Sequence, residues 1–418
     1  MKKLLVFVII LLAAAGTVSA FDFGLTIDNS TGFTKDEEEA EFTQRDKASL
    51  WFDGNVTKNL TFAAQGSYTF TIDEPVFFDL ELLRVGGNFA NTGENPFSFS
   101  FKAGRFKLRD FTNKVLSHTA DGGYIELASP TLSISFSTGF TGLVQKPASS
   151  ILMSLSDVED RELDGYYFGS HRFIQGMNIK FPEILFNQTL NLSMLYQRDL
   201  RAEERLHSGG GYVHTFYHGA GLSGPIVPPL YYNAFVYINS GTVAGDSLLA
   251  EMAGVTLNLY LQELLGSKVS LDFVYASGDA DYDSFYEGNT EGAATAFVPI
   301  SISTPALVFA PQLSNIIYGT FSFLIKPLYN LDSEAAKKFS VELKVSPFLR
   351  PTPGPISVSG VDDDSEELYA GTEVDTIISA RPLSDLGLGL SFGMFFPGEI
   401  MESEEVQLLG RFDLSLSF

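Results

Sequence analysis

Histidine and cysteine supply much of the versatile side-chain chemistry of proteins, and this 418-residue chain has five histidines and no cysteine. The lack of cysteine excludes disulfides, thiolate metal sites and a cysteine nucleophile. His214 and His218 share one face of a predicted strand, but four strand residues span about 13 Å, too far for both rings to bind one metal ion. The other histidines are His118, His171 and His207. The sequence therefore predicts no metal site.

Motifs of the common hydrolases and nucleotide-binding proteins are also absent from the sequence. It contains no His-Glu-x-x-His, no Gly-x-Ser-x-Gly and no Walker-type loop. These motifs provide zinc ligands, an activated serine and a phosphate cradle, respectively. We therefore expect neither enzymatic activity nor a cofactor. A hydrolase assembled from a serine or an acid beside a histidine on neighbouring strands stays open as an alternative.

Lysine and arginine side chains cluster around residue 105, which is the main basic feature of the sequence. Lys102, Arg105, Lys107 and Arg109 lie at the end of a predicted strand and the start of a connection over 107–120. Cations of this kind can bind phosphate groups or pair with the acids of neighbouring loops.

Further charged residues alternate with apolar ones along other predicted strands. On the lipid side of a transmembrane strand an arginine or lysine costs about 2–4 kcal/mol at mid-depth, whereas a water-filled lumen costs far less. We therefore expect these side chains to point into a lumen that contains charges of both signs. They are Arg198, Asp272, Lys326, Glu342, Lys344, Glu373, Asp375, Arg411 and Asp413.

Such an orientation requires strands with one apolar and one polar face, because successive strand side chains point to opposite sides. The segment 405–418 shows this pattern most clearly. One parity is apolar: Val406, Leu408, Gly410, Phe412, Leu414, Leu416 and Phe418. The other is largely polar: Gln407, Leu409, Arg411, Asp413, Ser415 and Ser417.

The same alternation recurs along the chain and predicts about eighteen strands, with sixteen or twenty also acceptable. The predicted strands lie near 21–28, 46–54, 59–72, 77–88, 96–106, 121–129, 131–141, 166–180, 188–199, 210–220, 229–240, 247–261, 268–277, 314–326, 338–349, 367–380, 386–396 and 405–418. Barrels of about this size leave an aqueous channel. The predicted fold class is all-β, a transmembrane antiparallel up-and-down β-barrel.

Long and short connections alternate, which is the asymmetry of a membrane barrel. The longer predicted connections are 29–45, 142–165, 278–313 and 350–366. Most runs of acidic residues lie in or beside these connections, including Asp36–Glu39 and Asp362–Glu367. Acidic runs of this kind are typical of loops exposed to water. Clustered carboxylates also suit loosely bound Ca²⁺ or Mg²⁺ that bridges the outer loops to anionic lipid.

The connection over 278–313 begins acidic and becomes apolar over 294–300 and 305–309. Apolar stretches of this length should not lie in water. The connection could fold into the mouth of the barrel, cap it, contact a partner subunit or contain one more hairpin.

The N-terminus has the features of an export signal. Two lysines precede the apolar run Leu4–Ala15, and Val18–Ala20 supplies small residues before a cleavage site. We predict a cleaved signal peptide over 1–20 and one barrel domain over 21–418. The formal net charge of −24 argues against a nucleic-acid partner.

Two segments resemble parts of Gram-negative outer-membrane proteins. A last strand that ends on phenylalanine resembles the signature recognised by the barrel-assembly machinery of those membranes. The residues that carry this resemblance are Phe412, Leu414, Leu416 and Phe418. The Gly-Arg pair at 104–105 resembles the strand end before the third loop of porins, which folds inward and narrows the pore in that family. By this resemblance, Lys102, Arg105, Lys107 and Arg109 would line one wall near the constriction. Binding to lipopolysaccharide phosphates or pairing with loop acids stays open for them as an alternative. The resemblance implies an outer-membrane location and, as is common among porins, a homotrimer.

These features predict an outer-membrane porin for passive diffusion of small hydrophilic solutes. The net acidity suggests a mild cation preference. One alternative is a substrate-specific transporter, for example for hydrophobic compounds, although a strand starting at Phe21 leaves no room for the N-terminal plug usual in that family. A surface adhesin or structural barrel with acidic loops is another alternative.

Overall fold

The computed structural model describes residues 21–36, 39–72, 76–90, 96–202, 206, 212–282 and 284–418. The predicted signal peptide over 1–20 lies outside the described residues, and so do Glu37, Glu38, His207 and Asp283. Within the described ranges, none of the helices is both long and apolar enough to cross a membrane.

Eighteen strands form a single sheet. They are β1 (Phe21–Asp36), β2 (Glu39–Thr57), β3 (Leu60–Thr71), β4 (Phe77–Ala90), β5 (Ser98–Arg109), β6 (Ser117–Ala128), β7 (Ser133–Phe140), β8 (Arg172–Phe181), β9 (Thr189–Asp199), β10 (Val213–Val227), β11 (Leu230–Val243), β12 (Asp246–Leu261), β13 (Ser267–Ala276), β14 (Ile316–Ile325), β15 (Ser340–Leu349), β16 (Tyr369–Leu383), β17 (Leu386–Pro397) and β18 (Gln407–Ser417). Among the described residues, the connections contain helices α1 (Leu155–Glu162) and α2 (Glu334–Lys337) and a 3₁₀ turn at Lys146–Ala148.

The sheet closes into a barrel because every strand pairs antiparallel with its neighbours in sequence and β18 pairs with β1. At the seam Thr26 lies opposite Ser417, and the N–H of Phe418 donates to the carbonyl oxygen of Leu25 at 2.8 Å. The predicted up-and-down barrel and its count of eighteen strands are confirmed.

The two faces of the strands differ as the alternation predicts. Leu271 is 50 % exposed on the outer surface, whereas Asp272 beside it points inward. On β18, Phe412 is exposed outside, and Arg411 and Asp413 form an ion pair of 3.1 Å inside. An apolar outer surface with a polar interior is the arrangement of transmembrane barrels.

The predicted connection over 29–45 is wrong, because β1 and β2 continue through it and pair as far as Asp36 opposite Glu39. The contrast between apolar and polar faces fades there, since polar side chains also occupy the outer face. Asn29 donates to Asp46 on that face at 2.6 Å. Backbone pairing of β1 with β2 therefore continues through a segment in which apolar and polar residues no longer alternate.

The two ends of the barrel have different connections. We call the end with Phe21 and Phe418 the turn end, and its turns are mostly short: 58–59, 129–132, 182–188, 228–229, 262–266 and 384–385. The exception is 326–339, which contains α2. The opposite end, the loop end, carries the long connections 141–171, 277–315 and 350–368.

Part of the connection over 277–315 folds into the barrel at the loop end. We call residues 294–313 the plug, and its buried side chains include Phe297, Ile300 and Phe309. The plug packs on the inner wall, where the Tyr217 hydroxyl donates to the carbonyl oxygen of Val298 at 2.7 Å. Among the four predicted outcomes for this connection, the structure shows entry into the mouth of the barrel.

Adjacent positions on β13 should respond differently to the same substitution. We expect Leu271→Arg to lower the free energy of unfolding by about 2–4 kcal/mol, because the cation would lie on the lipid-facing surface. Ser270→Arg, on the lumen side, should cost less than about 1 kcal/mol. The fluorescence of Trp51, the single tryptophan, measures the free energy of unfolding of both variants during denaturant titration in lipid vesicles. Equal losses would contradict the assigned faces.

Candidate pore and its constriction

The loop-end part of the β5–β6 hairpin leaves the barrel wall. Pairing of β5 with β4 ends at Arg105, and pairing of β6 with β7 ends at Asp121. The two strands still pair with each other as far as Arg109 opposite Ser117. Residues 106–120, which we call the inner hairpin, therefore have no partner strand in the wall and bend into the lumen.

Two residues fix the base of the inner hairpin. Gly104 has φ +116°, and a Cβ atom there would lie 2.1 Å from a carbonyl oxygen of β4, so the bend requires glycine. The Arg105 guanidinium lies 2.7 Å from the Asp121 carboxylate and donates to the carbonyl oxygens of Leu80 at 3.1 Å and Leu143 at 2.8 Å. Arg105 therefore ties the bend to β4 and to the connection after β7.

The tip of the inner hairpin reaches the opposite wall. Asp110 accepts a hydrogen bond from the Tyr237 hydroxyl of β11 at 3.0 Å. Lys114 lies 2.9 Å from the Tyr318 hydroxyl of β14 and 3.7 Å from the Asp272 carboxylate of β13. Because β14 stands nine strands from β5 in a ring of eighteen, the hairpin crosses the full width of the lumen.

The plug joins the inner hairpin and the connection 141–171 into one constriction. The Ser301 hydroxyl accepts from the N–H of Ser117 at 2.7 Å. The N–H of Ile302 donates to the carbonyl oxygen of Ser150 at 2.7 Å. These contacts bring three connections together inside the barrel at its loop end.

A buried ion cluster holds α1 against the ends of β8 and β9. It comprises Asp157, Arg172, Asp199 and Arg201, all with fully buried side chains. Arg172 lies 2.9 Å from Asp157 and 2.8 Å from Asp199, and Arg201 lies 3.1 Å from Asp157 and 2.6 Å from Asp199. Burial disfavours the charged form of Asp157, but the two guanidinium groups outweigh it and lower its pKa below the usual 3.8.

One cavity of the lumen, the lateral cavity, has a volume of about 480 Å³ and lies between the inner hairpin and the wall of β4–β9. Its basic lining residues are Arg84, Lys102, Lys107 and Arg109. The ammonium group of Lys102 lies 5.0 Å from the centre of the Tyr124 ring, a cation–π contact.

A second cavity, the inner cavity, has a volume of about 980 Å³ and lies near the turn end, against β14–β18, β1 and β2. Two acids line it, Asp28 and Asp413. Seven basic residues line it: Arg45, Lys47, Lys326, Lys337, Lys338, Arg381 and Arg411. The excess of positive charge contrasts with the net charge of the whole chain, −24.

The structure distributes the sequence-predicted pore residues over several places. Lys102, Lys107 and Arg109 border the lateral cavity, while Lys326, Arg411 and Asp413 border the inner cavity. The remaining pair on β15, Glu342 and Lys344, lies 3.8 Å apart on the lumen side. Asp272 points inward but contacts the tip of the inner hairpin.

The predicted pore-lining placement of Arg105, Glu373 and Asp375 is wrong, since these side chains are buried rather than open to the lumen. Arg105 is enclosed because the strand bends at this residue. Glu373 and Asp375 do lie on the inner face of β16, but the plug covers them. Strand parity predicts whether a side chain faces the lumen. It does not predict whether a loop covers that side chain.

Several lining residues are missing from the sequence prediction. Lys47 has the same parity as the inward Ser49, so the alternation of β2 could have placed Lys47 on the lumen side. Arg45 continues this parity beyond the predicted end of the strand. Lys337 and Lys338 lie in the connection with α2, where no periodicity could place them.

The histidines and the outer acids are the candidate metal ligands of the chain. In the part of the chain that the structure describes, no group of three or more His, Asp or Glu side chains is placed to hold a metal ion. The predicted Ca²⁺ or Mg²⁺ at the outer loops therefore gains no support. His214 and His218 share one face of β10, as parity predicts, and it is the outer face, with the exposed Phe216 between them. Arg198 of β9 lies opposite His214, so it faces outward and not into the lumen.

Solved structures similar to this chain include outer-membrane proteins of Pseudomonas aeruginosa. The outer membrane protein opdK has a TM-score of 0.59 at 10% identity, over 95% of this chain and 99% of that one. OccK8 (OprE) has a TM-score of 0.59 at 12% identity, over 97% and 99%. OccK2 (OpdF), solved in complex with glucuronate, has a TM-score of 0.61 at 10% identity, over 96% and 98%. The fold is that of an outer-membrane porin.

The sequence matches no protein-family model and no curated protein. At identities of 10–12%, the likeness to the solved structures concerns the fold. The matches cover 95–97% of this chain and 98–99% of those barrels.

The ion cluster should make stability fall at low pH. Because the pKa of Asp157 is lower in the folded barrel than its usual 3.8, its stabilising contribution is complete above that pH and is lost as the pH falls further. We expect Asp157→Asn to remove part of this acid-dependent loss, measured by unfolding at pH 2 to 6. Asp332→Asn, in an exposed turn, is the control. A wild-type-like slope in Asp157→Asn would contradict the assignment.

Proposed function

We propose that this protein is an outer-membrane channel for passive diffusion of small hydrophilic solutes, with a preference for anions. The observation that carries the proposal is the inner cavity, where seven basic residues face two acids. A basic cavity with low-dielectric walls raises the local concentration of anions and speeds their entry. No catalytic step is part of this function.

Unpaired charge in the inner cavity strengthens the argument. Lys47 pairs with Glu81, and Arg411 lies 3.1 Å from Asp413. Four other cations form no ion pair within the described residues: Arg45, Lys326, Lys338 and Arg381. Charges without a partner are free to attract a passing solute, so the cavity favours anions more strongly than a count of residues suggests.

The acidic total of the chain is compatible with this preference because its acids lie elsewhere. Asp362, Asp363 and Asp364 are exposed at the loop end, as are Glu366 and Glu367. Selectivity depends on the charges that line the path of the solute through the channel, and not on the total charge of the chain. The anion preference therefore replaces the cation preference that the net charge suggests.

The neighbouring structure OccK2 supports the class of solute. It was solved with glucuronate, a sugar acid with one carboxylate. A solute of that kind combines polar hydroxyls with a negative charge, and both basic cavities suit it. The basic lining argues against the alternative of a transporter for hydrophobic compounds.

The constriction favours a selective channel over an unrestricted pore. The inner hairpin crosses the lumen, and the plug fills part of the loop end. A solute must pass the remaining space close to charged walls, which gives the side chains control over its passage.

We further propose the cellular setting that this function requires. Segment 1–20 directs export and is removed, and the barrel-assembly machinery recognises the last strand through Phe412, Leu414, Leu416 and Phe418. The domain 21–418 then inserts into the outer membrane with its loop end outside. A homotrimer is the proposed assembly, and cross-linking in native membranes tests it.

Reversal potentials across planar bilayers test the anion preference. We expect wild type to favour Cl⁻ over K⁺ in a salt gradient. The triple variant Lys326→Gln, Lys338→Gln, Arg381→Gln should lose about half or more of this offset, because it removes unpaired cations from the inner cavity. The control is Lys35→Gln, Lys58→Gln, Arg198→Gln, which removes the same charge outside both cavities and should leave the potential unchanged. Cation selectivity of wild type would refute the proposal.

A further inference from the structure

Three backbone N–H groups of the plug converge on one carboxylate of the barrel wall. Leu307 and Val308 donate to Oε1 of Glu373 at 2.8 and 2.9 Å, and Phe309 donates to Oε2 at 2.7 Å. Glu373 is fully buried on the lumen side of β16. Successive N–H groups that surround an anion form a nest, and bonds of this length to an ionised acceptor belong to the strong class.

The other contacts between this part of the plug and the wall are apolar. The Phe309 ring stacks on Phe395 with 4.4 Å between ring centres and meets Phe348 at 5.0 Å. Val308 covers Gly393 so closely that a Cβ atom there would lie 2.7 Å from its Cγ2. Within the described residues, the bonds to Glu373 are therefore the polar attachment of residues 307–309 to the wall.

A second buried acid lies beside this attachment. Asp375 follows on the same face of β16 and is 2 % exposed. Its carboxyl group interacts with Glu373 itself, and Lys344 lies opposite Asp375 in the β15–β16 register. Glu373 therefore keeps a polar neighbour on the wall when it separates from the plug.

We infer that the N–H groups of Leu307–Phe309 form a binding site for a small carboxylate, and that Glu373 occupies it when the plug is in place. A solute carboxylate that replaces Glu373 detaches residues 305–309 from the wall and widens the channel. The inference rests on the proposed function, since the basic cavities must first concentrate the anion.

The covalent attachment of Glu373 to the wall determines the concentration of free carboxylate that is needed to replace it. Glu373 is held beside the nest at an effective concentration in about the millimolar range or above, so a free carboxylate must reach a comparable local concentration. The unpaired cations of the inner cavity provide such enrichment. Chloride is a single atom and lacks the two oxygens that the three N–H groups engage. A neutral solute lacks the negative charge that strengthens these hydrogen bonds.

Single-channel recording in planar bilayers tests the exchange with potassium acetate as the probe. Wild type should open more often as acetate replaces chloride at constant ionic strength. Glu373→Ala should raise the open-to-closed ratio in chloride alone by about tenfold or more, the size expected for loss of one charge-assisted hydrogen bond. Acetate should then add nothing. Glu126→Ala, which removes a lumen acid of β6 on the opposite side of the ring, should behave as wild type.

A cross-link provides a second measurement that does not depend on deletion of Glu373. A Cβ atom at Gly393 would lie 3.5 Å from the Cβ of Leu307, within the range that a disulfide spans. The chain has no cysteine of its own, so Leu307→Cys with Gly393→Cys forms one defined bridge. Val308→Ala accompanies the pair, because the new Cβ atom at Gly393 would otherwise lie 2.7 Å from Cγ2 of Val308. Oxidation should abolish the response to acetate, and reduction should restore it.

The outcomes separate this inference from the proposed function. A response to acetate that persists in Glu373→Ala or in the oxidised cross-linked protein would overturn the inference. So would a wild type that ignores acetate while its reversal potential is anion-selective, and in that case the proposed function would stand. If the wild type is cation-selective, both the proposed function and the inference that rests on it are wrong.

Discussion

Lipid offers no hydrogen bonds to the backbone, and this constraint governs the structure. Every strand that faces the membrane must satisfy its N–H and C=O groups on neighbouring strands, which only a closed sheet allows. The pairing of β1 with β18 removes the last free edges. Once the ring is closed, strand parity assigns each side chain to the outer surface or the lumen, and the chemistry of the interior follows from that assignment.

A ring of eighteen strands encloses more space than wall side chains can fill. The connections therefore determine the interior at the loop end. The inner hairpin spans the lumen between β5 and β14, and the plug packs beside it. Each is attached through buried charge: Arg105 at the base of the hairpin, Glu373 beneath the plug, and the ion cluster beneath α1. Buried charges with their partners in place fix position more than they stabilise.

The sequence predicts the parts of this barrel that obey a local period. The number of strands and most of their faces follow from alternation, because contact with lipid requires an apolar side chain at every second residue. Alternation failed over 29–45, where both faces of a continuing strand are polar. It also could not foresee that Arg105 and Glu373 are covered, since the bend after Gly104 and the path of the plug are set by contacts across the barrel. A single sequence carries no record of such distant pairs.

The acids of the loop end and the basic lining of the inner cavity have an electrical consequence. Exposed acids such as Asp362 and Glu402 lie at the loop end, while unpaired lysines and arginines border the inner cavity nearer the turn end. A fixed asymmetry of charge along a conduit makes ions move more easily in one direction than in the other. We expect the channel to rectify, with unequal currents under equal voltages of opposite sign even in symmetrical solutions.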